Sequence, residues 1–219
     1  MNVSSQPQEV ILPVDATEPM RLKISCSNCE CRYAVIGSAF FCPACGHNDA
    51  EHVFYQSMTT IRSTIEALPI VRQSISDIDT AENTARLLVE SGIQNAITAF
   101  QRFAEALYLR FPSAPKARRN VFQNLAEGGV LWEQAFGSGY DQHLSTSEIS
   151  NLSRYFQQRH LLAHKEGLVD EDYIAKSGDS TYRPSQRLVI REASVRECVQ
   201  LIEVLANGLE QDVKKGTFR

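Results

Sequence analysis

The chain has 219 residues, of which 43% are hydrophobic and 22% are charged, and its formal net charge is −4. This composition is that of a globular protein with a buried core, and the length allows one large domain or a medium domain with a small one. The negative balance excludes a surface coated in basic residues, although it leaves room for a local nucleic-acid groove.

The sequence predicts no membrane-spanning helix, because it contains no run of about 18 apolar residues. Its N-terminus lacks a basic region followed by an apolar stretch, which argues against a secretory signal. We therefore expect a cytoplasmic protein with no membrane partner. Residues 1–20 hold three prolines and no sustained period, so we interpret them as an extended or disordered lead.

Five of the six cysteines fall near the N-terminus, and four of them form two Cys-x-x-Cys pairs: Cys26 with Cys29, and Cys42 with Cys45. Two tight turns that each present two thiolates can bring four sulfurs tetrahedrally onto Zn²⁺. In a reducing compartment such clustering favours metal over disulfides, and a redox Cys-x-x-Cys would need a βαβ context that this stretch lacks. We therefore predict one structural zinc per chain.

The residues between the two pairs predict a β-hairpin with strands at 32–36 and 39–41 around a Gly37–Ser38 turn. The whole arrangement resembles a zinc ribbon over residues 21–56. Cys31 competes with Cys29 for one ligand position, and we prefer Cys29 because it keeps the two-residue gap within the pair.

From residue 57 onward, apolar residues recur at the 3.6-residue period of α-helices. The fold class is thus mostly α, with a helical domain over 57–219 preceded by the small zinc ribbon. The first helix is predicted at 57–75 with a kink or break at Pro69, and the second runs from an Asp79–Glu82 cap to Pro112. A pair of helices over 118–136 is predicted to be broken at Gly128–Gly129. Further helices are predicted at 146–165, at 170–176, and from a Ser194–Glu197 cap to Lys214. Cys198 is expected to be a buried core thiol, and His143 a loop residue.

The stretch that carries the most chemistry lies near the end of the predicted helix at 146–165. Arg159, His160 and His164 fall within six residues there, and Gly167 is placed to terminate the helix. An imidazole with a pKa of about 6.5 takes or gives a proton near neutrality. A guanidinium binds phosphate oxygens in a bidentate manner. These groups suit cleavage of RNA, which requires proton transfer at the 2′-OH and at the leaving 5′-oxygen.

Arg159 and His164 enclose four residues, and the stretch resembles the R-x(4–6)-H motif of HEPN domains (higher eukaryotes and prokaryotes nucleotide-binding), which are helical bundles. The histidine directly after Arg159 and the spacing from His164 to Gly167 are also similar to that family. The resemblance implies a metal-independent endoribonuclease of toxin or antiviral-defence type that leaves a 2′,3′-cyclic phosphate. It further implies a homodimer whose two motifs share one cleft, RNA as the substrate, and an antitoxin or other partner protein as a regulator.

On this hypothesis Arg159 and His164 carry the chemistry, and His160 orients or polarises the site. Ideal helical geometry places residues 159 and 164 about 140° apart around the axis, so they converge only if the helix distorts or the arginine wraps around it. His160 and His164 share one face, and Arg154 with His160 forms a second, overlapping match. Candidate phosphate contacts are basic residues at loops or helix ends, namely Lys116, Arg118, Arg119 and Lys165.

Two other functions compete with the nuclease hypothesis. His164 could cap the last carbonyls of its helix while Arg159 and Arg154 remain solvated surface residues. The chain would then be a non-catalytic adaptor, whose bundle dimerises and whose ribbon docks a protein or a nucleic acid. A third alternative is a nucleotide-sensing domain that keeps the phosphate-binding arginine without turnover.

Overall fold

A computed structural model describes residues 21–36, 41–47, 49–111 and 113–216. The chain divides into two compact units, Met1–Asp49 and Ala50–Arg219. The predicted boundary at residue 57 falls inside the first helix, which begins at Ala50. The lead predicted over residues 1–20 lies outside the described residues.

The smaller unit contains an antiparallel hairpin of β1 (Arg21–Ser25) and β2 (Arg32–Ile36), in which Ser25 lies opposite Arg32. A hairpin was expected, and in the described residues β2 pairs with β1, the strand before the first cysteine turn. That turn closes through two backbone bonds, since the Cys26 amide donates to the Cys31 carbonyl and the Glu30 amide to the Cys26 carbonyl, each at 2.9 Å. Phe41 lies in a bend, and the predicted Gly37–Ser38 turn lies outside the described residues.

The larger unit is a bundle of α-helices. Those in its described part are α1 (Ala50–Ser74), α2 (Ile78–Tyr108), α3 (Leu125–Phe136), α4 (Thr146–His164), α5 (Glu171–Ser177) and α6 (Glu192–Gly216), with 3-10 turns at Val121–Gln123 and Tyr140–Gln142. The mostly α fold with a small hairpin is confirmed. No helix within the described ranges combines the length and apolarity needed to cross a bilayer.

The long helices α1 and α2 form the centre of the bundle. Phe54 of α1 stacks on Phe103 of α2 with ring centroids 4.6 Å apart. Of the predicted break or kink at Pro69, the break is wrong, because α1 continues through the proline to Ser74 while the neighbouring Leu68 is fully buried. Tertiary packing of that kind outweighs the lost hydrogen bond of one proline.

The N-cap of helix α2 lies two residues before the predicted one. The Asp77 carboxylate accepts a hydrogen bond from the Thr80 amide at 2.8 Å, so Asp77 is the N-cap in place of the predicted Asp79–Glu82 pair. Helix α4, by contrast, opens with the predicted capping box of Ser145 and Glu148.

The predicted break at Gly128–Gly129 is also wrong, because both glycines lie inside the continuous helix α3. A Cβ at Gly129 would come within 3.2 Å of the Tyr140 ring, and one at Gly128 within 3.1 Å of Phe122. The two glycines therefore permit close packing of aromatic rings against α3, which compensates for their low helix propensity.

Helix α6 begins at Glu192, so the predicted Ser194–Glu197 cap is wrong as well. The Glu197 carboxylate accepts hydrogen bonds from the Tyr155 hydroxyl at 2.7 Å and the Asn151 amide at 2.8 Å, both on α4. Glu197 therefore joins α6 to α4. Cys198, its neighbour, is fully buried as predicted.

A buried polar cluster ties α6 to α3 and to the loop before α4. The Trp132 indole donates to Asp212 Oδ2 at 3.1 Å, and His143 Nε2 lies 2.7 Å from the same oxygen. The Asp212 side chain is only 3% exposed and that of His143 only 11%. His143 is therefore a loop residue, as expected, but one whose ring is held in the core.

Replacing Asp212 with alanine is expected to lower the free energy of unfolding by about 3–5 kcal/mol, because both donors then lose a buried acceptor. Urea denaturation followed by circular dichroism measures the loss. Asp141→Ala is the control, since this exposed carboxylate has only a 3.4 Å contact with Gln142, and it should change stability by less than about 0.5 kcal/mol. Equal stability of the two variants would contradict the prediction.

A partly buried ion pair holds the segment after α4 against α2. Arg187 Nη2 donates to both carboxylate oxygens of Glu90, at 2.9 and 3.0 Å, and the Glu90 side chain is 8% exposed. Gly167 has a φ of +74°, and a Cβ there would overlap the Arg187 guanidinium. The Gly167 amide donates to the Leu161 carbonyl at 3.0 Å, so this glycine also closes the end of α4 as predicted.

Candidate functional site

The four cysteines predicted as metal ligands lie together in the smaller unit. The sulfurs of Cys26 and Cys45 are 3.7 Å apart, as are those of Cys29 and Cys42, and all four ligand atoms lie within 4.8 Å of one another. A tetrahedral metal with metal–sulfur distances of about 2.3 Å, as for zinc, requires sulfurs about 3.8 Å apart. The four thiols could therefore hold one metal ion.

The two cysteine turns have the same backbone construction. In the second turn the Cys42 amide donates to the His47 carbonyl and the Gly46 amide to the Cys42 carbonyl, each at 2.8 Å, matching the bonds of the first turn. The residue after each pair has positive φ, 58° at Glu30 and 70° at Gly46. Repetition of one turn explains how two short segments place four sulfurs at one point.

Polar groups around the sulfurs stabilise a thiolate. The Asn28 side chain lies 3.5 Å from Cys45 Sγ, and this hydrogen bond and one from the His47 amide lower the pKa of Cys45 to about 6. Metal ligation requires thiolates, so these donors favour the ligating form. Neither Asn28 nor His47 was predicted to take part, although both lie within two residues of a ligand.

Replacing Glu30 with glycine is expected to tighten zinc binding about two- to fivefold. A non-glycine residue in the left-handed region costs about 1–2 kcal/mol, while the greater freedom of glycine in the unfolded chain costs about 0.5–1 kcal/mol, which leaves a net gain of about 0.5–1 kcal/mol. Chelator competition measures the affinity. Gly46→Ala is the matched reverse variant and should weaken zinc binding. A Cβ at residue 46 meets nothing within 4 Å, so the substitution strains only the backbone. If the two substitutions shifted zinc affinity in the same direction, the argument would fail.

In the larger unit, the structure brings two of the three predicted catalytic residues together. His160 and His164 are exposed on the solvent face of α4, with ring centroids 4.9 Å apart and ring planes inclined at 53°. Leu152, Tyr155 and Leu161 of the same helix are buried in the core. The buried face fixes the rotation of α4 and so presents both imidazoles to solvent.

Arg159 is not brought to the same face as His164. Helix α4 is continuous through His164, so the two residues keep the angular separation of about 140° that a regular helix gives. Arg159 is half-buried, while Arg154 lies over the Tyr155 ring at 5.6 Å and bonds Asn151 at 3.3 Å. In a single chain, therefore, the two histidines share an exposed surface and Arg159 lies to the side of that surface.

Burial and nearby positive charges both act on the His160 imidazole. Burial lowers the pKa of His160, and the charges of His164, Lys176, Arg159 and Lys165 lower it further, in that order. A lowered pKa increases the fraction of neutral imidazole at pH 7, which is the form that accepts a proton.

The predicted phosphate contacts occupy different settings. Lys116 and Arg118 line an open groove of about 440 Å³ whose apolar lining includes Val121, Val130 and Leu131. Arg118 is ion-paired with Glu127, at 2.7 Å from Nε to Oε2, and Arg119 is exposed nearby. Lys165 is paired with Asp170 at 2.6 Å. Arg118 and Lys165 would therefore have to leave a carboxylate to bind a phosphate.

The sequence reasoning did not identify Lys176, whose charge is among those that lower the pKa of His160. It follows Tyr173 by three residues in the short helix α5, and Tyr173 packs against α4 through a 3.3 Å hydrogen bond from Gln158. A signal existed, because α5 was expected at 170–176 directly after α4, yet a seven-residue helix does not show which face turns inward.

Comparison of the chain with protein-family models, with curated proteins and with solved structures finds no match. The likeness of residues 159–167 to the HEPN motif therefore depends on those residues alone. Function must be argued from the chemistry of the sites.

Proposed function

We propose that this chain is a metal-independent endoribonuclease of toxin or defence type that acts as a homodimer, with Arg159 and His164 at its catalytic centre. The observation that supports this most directly is the exposed His160–His164 pair, with centroids 4.9 Å apart, at the end of a rigidly anchored helix. Cleavage through the 2′-OH needs one group that accepts a proton and one that donates a proton in the same step. Two neighbouring imidazoles can supply both.

The proposal includes a homodimer because a single chain does not bring the arginine and the two histidines onto one face. Arg159 lies to the side of the histidine face of its own helix, so a second α4 placed across a shared cleft would offer its arginine to the histidines of the first. Two guanidiniums would then stabilise the phosphorane, whose charge develops only during the reaction. An antitoxin or other partner protein that covers this cleft would restrain the enzyme.

We further propose that the cysteine cluster holds one zinc ion with a structural role. Four protein ligands leave no open position for water or substrate, which is the arrangement of structural zinc sites. The proposed RNA chemistry uses side chains alone and needs no catalytic metal.

Incubation of the purified protein with total and synthetic RNA, without added divalent metal, tests the nuclease proposal. We expect internal cleavage that leaves a 2′,3′-cyclic phosphate and a 5′-hydroxyl. Omission of Mg²⁺ is the appropriate metal control, because a strong chelator would also strip the cysteine cluster. Intact RNA after incubation with the dimeric protein would contradict the proposal.

A non-catalytic adaptor is the second candidate, and the separation of Arg159 from His164 on α4 favours it. Expression in cells distinguishes the two functions. A nuclease should slow growth, and His164→Ala should relieve the effect. Equal tolerance of both proteins would favour the adaptor.

A further inference from the structure

The hairpin of the smaller unit has two faces of different chemistry. Its register places Lys23 opposite Ala34 and Ser25 opposite Arg32. Residues directly opposite each other in an antiparallel pair, and residues two apart along one strand, point to the same side of the sheet. Lys23, Ser25, Arg32 and Ala34 therefore share one face, and all four are exposed.

The other face of the hairpin is apolar and partly covered. Ile24 lies opposite Tyr33, and both are half-buried, as is Val35. Cys26 follows Ile24 by two residues and is only 5% exposed. A zinc ion with four thiolates is net negative, and the alternation of side chains along β1 keeps Cys26 on the side away from Lys23.

The exposed face carries two cations that have no carboxylate partner in the sheet. Within the residues that the structure describes, neither Lys23 nor Arg32 forms an ion pair. Glu30, the acidic residue nearest to Arg32 in sequence, lies in the cysteine turn outside the paired strands. Two of the phosphate contacts predicted in the larger unit, Arg118 and Lys165, are instead each bound to a carboxylate. The hairpin cations can therefore bind an anion without first breaking an ion pair.

Lys23 and Arg32 are diagonal neighbours across the two strands, since Arg32 lies two residues before Ala34, the partner of Lys23. Diagonal positions of this kind lie about 7–8 Å apart. The small side chains of Ser25 and Ala34 occupy the remaining corners and leave the surface between the cations open. Two long cationic side chains on such a surface can reach successive phosphates of one strand, and the Ser25 hydroxyl is a further donor.

The composition of this face favours a nucleic acid over a protein as its ligand. Protein interfaces are anchored by large aromatic and aliphatic side chains, or by arginine, in desolvated pockets. Among the four side chains of the exposed face, that of Ala34 is the only apolar one. Contacts to a phosphodiester backbone need cations and hydrogen-bond donors on an open surface, and these are the groups present.

We propose that the exposed face of the hairpin, formed by Lys23, Ser25 and Arg32, binds the sugar–phosphate backbone of single-stranded RNA. The choice of RNA rests on the proposed nuclease function. The first cysteine turn joins the two strands, so a metal that orders this turn also keeps both cations on one face. The hairpin thus supplies affinity that does not depend on base sequence, while the chemistry belongs to the histidine helix.

Binding of the full chain to a fluorescent 2′-O-methylated oligoribonucleotide, followed by anisotropy, tests the surface independently of cleavage, because this probe lacks the 2′-hydroxyl that the proposed reaction needs. Each phosphate contact to a single strand contributes about 0.7 to the slope of log affinity against log salt. Lys23→Ala and Arg32→Ala should each weaken binding about fivefold at about 0.1 M salt. The double variant should lose about 25-fold and show a slope shallower by about 1.4.

Lys214→Ala is the matched control, since this lysine of α6 has a side chain that is 74% exposed, and it should leave affinity and slope unchanged. Metal content equal to that of the wild type shows that the hairpin variants remain folded. The proposal is overturned if the wild type does not bind the probe, if the double variant keeps the wild-type slope, or if Lys214→Ala loses as much affinity. Equally tight binding of polyglutamate would also overturn it, in favour of an acidic protein partner.

The outcomes for this surface and for the nuclease function are separable. Binding that depends on Lys23 and Arg32 in a protein that cleaves no RNA would reject the nuclease function and retain the surface. Cleavage of RNA by a protein whose binding ignores both residues would do the reverse.

Discussion

Replacing Cys42 with serine is expected to remove the proposed zinc ion and to unfold the smaller unit. Cys42 is 3% exposed and its sulfur lies 3.7 Å from that of Cys29, so a serine oxygen in its place breaks a closed set of four ligands. In small structural sites the metal contributes about 10–16 kcal/mol, most of which is the folding energy of the unit. Metal content should fall from one ion per chain to near zero, and amide protection over residues 21–47 should be lost.

Cys31→Ser is the matched control for this experiment. Cys31 lies within the same turn region but outside the group of four converging ligand atoms, so its replacement should leave the metal content at one per chain. Trp132, the single tryptophan, is buried in the helical unit, and its fluorescence reports the state of that unit separately. Retention of the metal by Cys42→Ser, or its loss from Cys31→Ser, would show that the ligand set is different.

Replacing His164 with alanine is expected to lower the rate of RNA cleavage by about 10²- to 10⁴-fold, the usual contribution of one acid–base group. His164 is exposed, so folding should be unchanged and the loss should appear in kcat. Arg159→Ala should cost about 10²- to 10³-fold through weaker stabilisation of the phosphorane. Single-turnover cleavage of a defined RNA measures both effects.

Arg154→Ala distinguishes between the two overlapping matches to the motif. Arg154 is held by Asn151 and by the Tyr155 ring, away from a catalytic role in our assignment, so its removal should change cleavage less than about threefold. A large loss in Arg154→Ala with little change in Arg159→Ala would transfer the function to Arg154 and His160. Equal cleavage by all variants would show that the activity comes from another site.

The features that could be predicted from sequence are those encoded by local patterns. The spacing of the cysteines identified four ligands that do converge, and the 3.6-residue period identified the helical unit. The capping box at Ser145 is likewise a local pattern, and it was predicted from the sequence. In each case the residues that determine the structure lie within a few positions of one another.

The features that could not be predicted depend on contacts distant in sequence. Gly128 and Gly129 favour a break by propensity, yet Tyr140 packs against them and the helix continues. Glu197 has the spacing of a cap, but its carboxylate binds two donors on α4. The side of α5 that turns toward α4 could not be predicted either, because it is fixed by the buried Tyr173 and its hydrogen bond with Gln158.

The contact between Gly167 and Arg187 makes the exit from the histidine helix dependent on a carboxylate buried on α2. Any side chain at residue 167 would push the guanidinium away and leave Glu90 charged and without its bidentate partner. The same change would disfavour the positive φ that directs the Gly167 amide to Leu161. Glycine is thus favoured at position 167 for two unrelated reasons, and a methyl group there would affect both the end of α4 and the middle of α2.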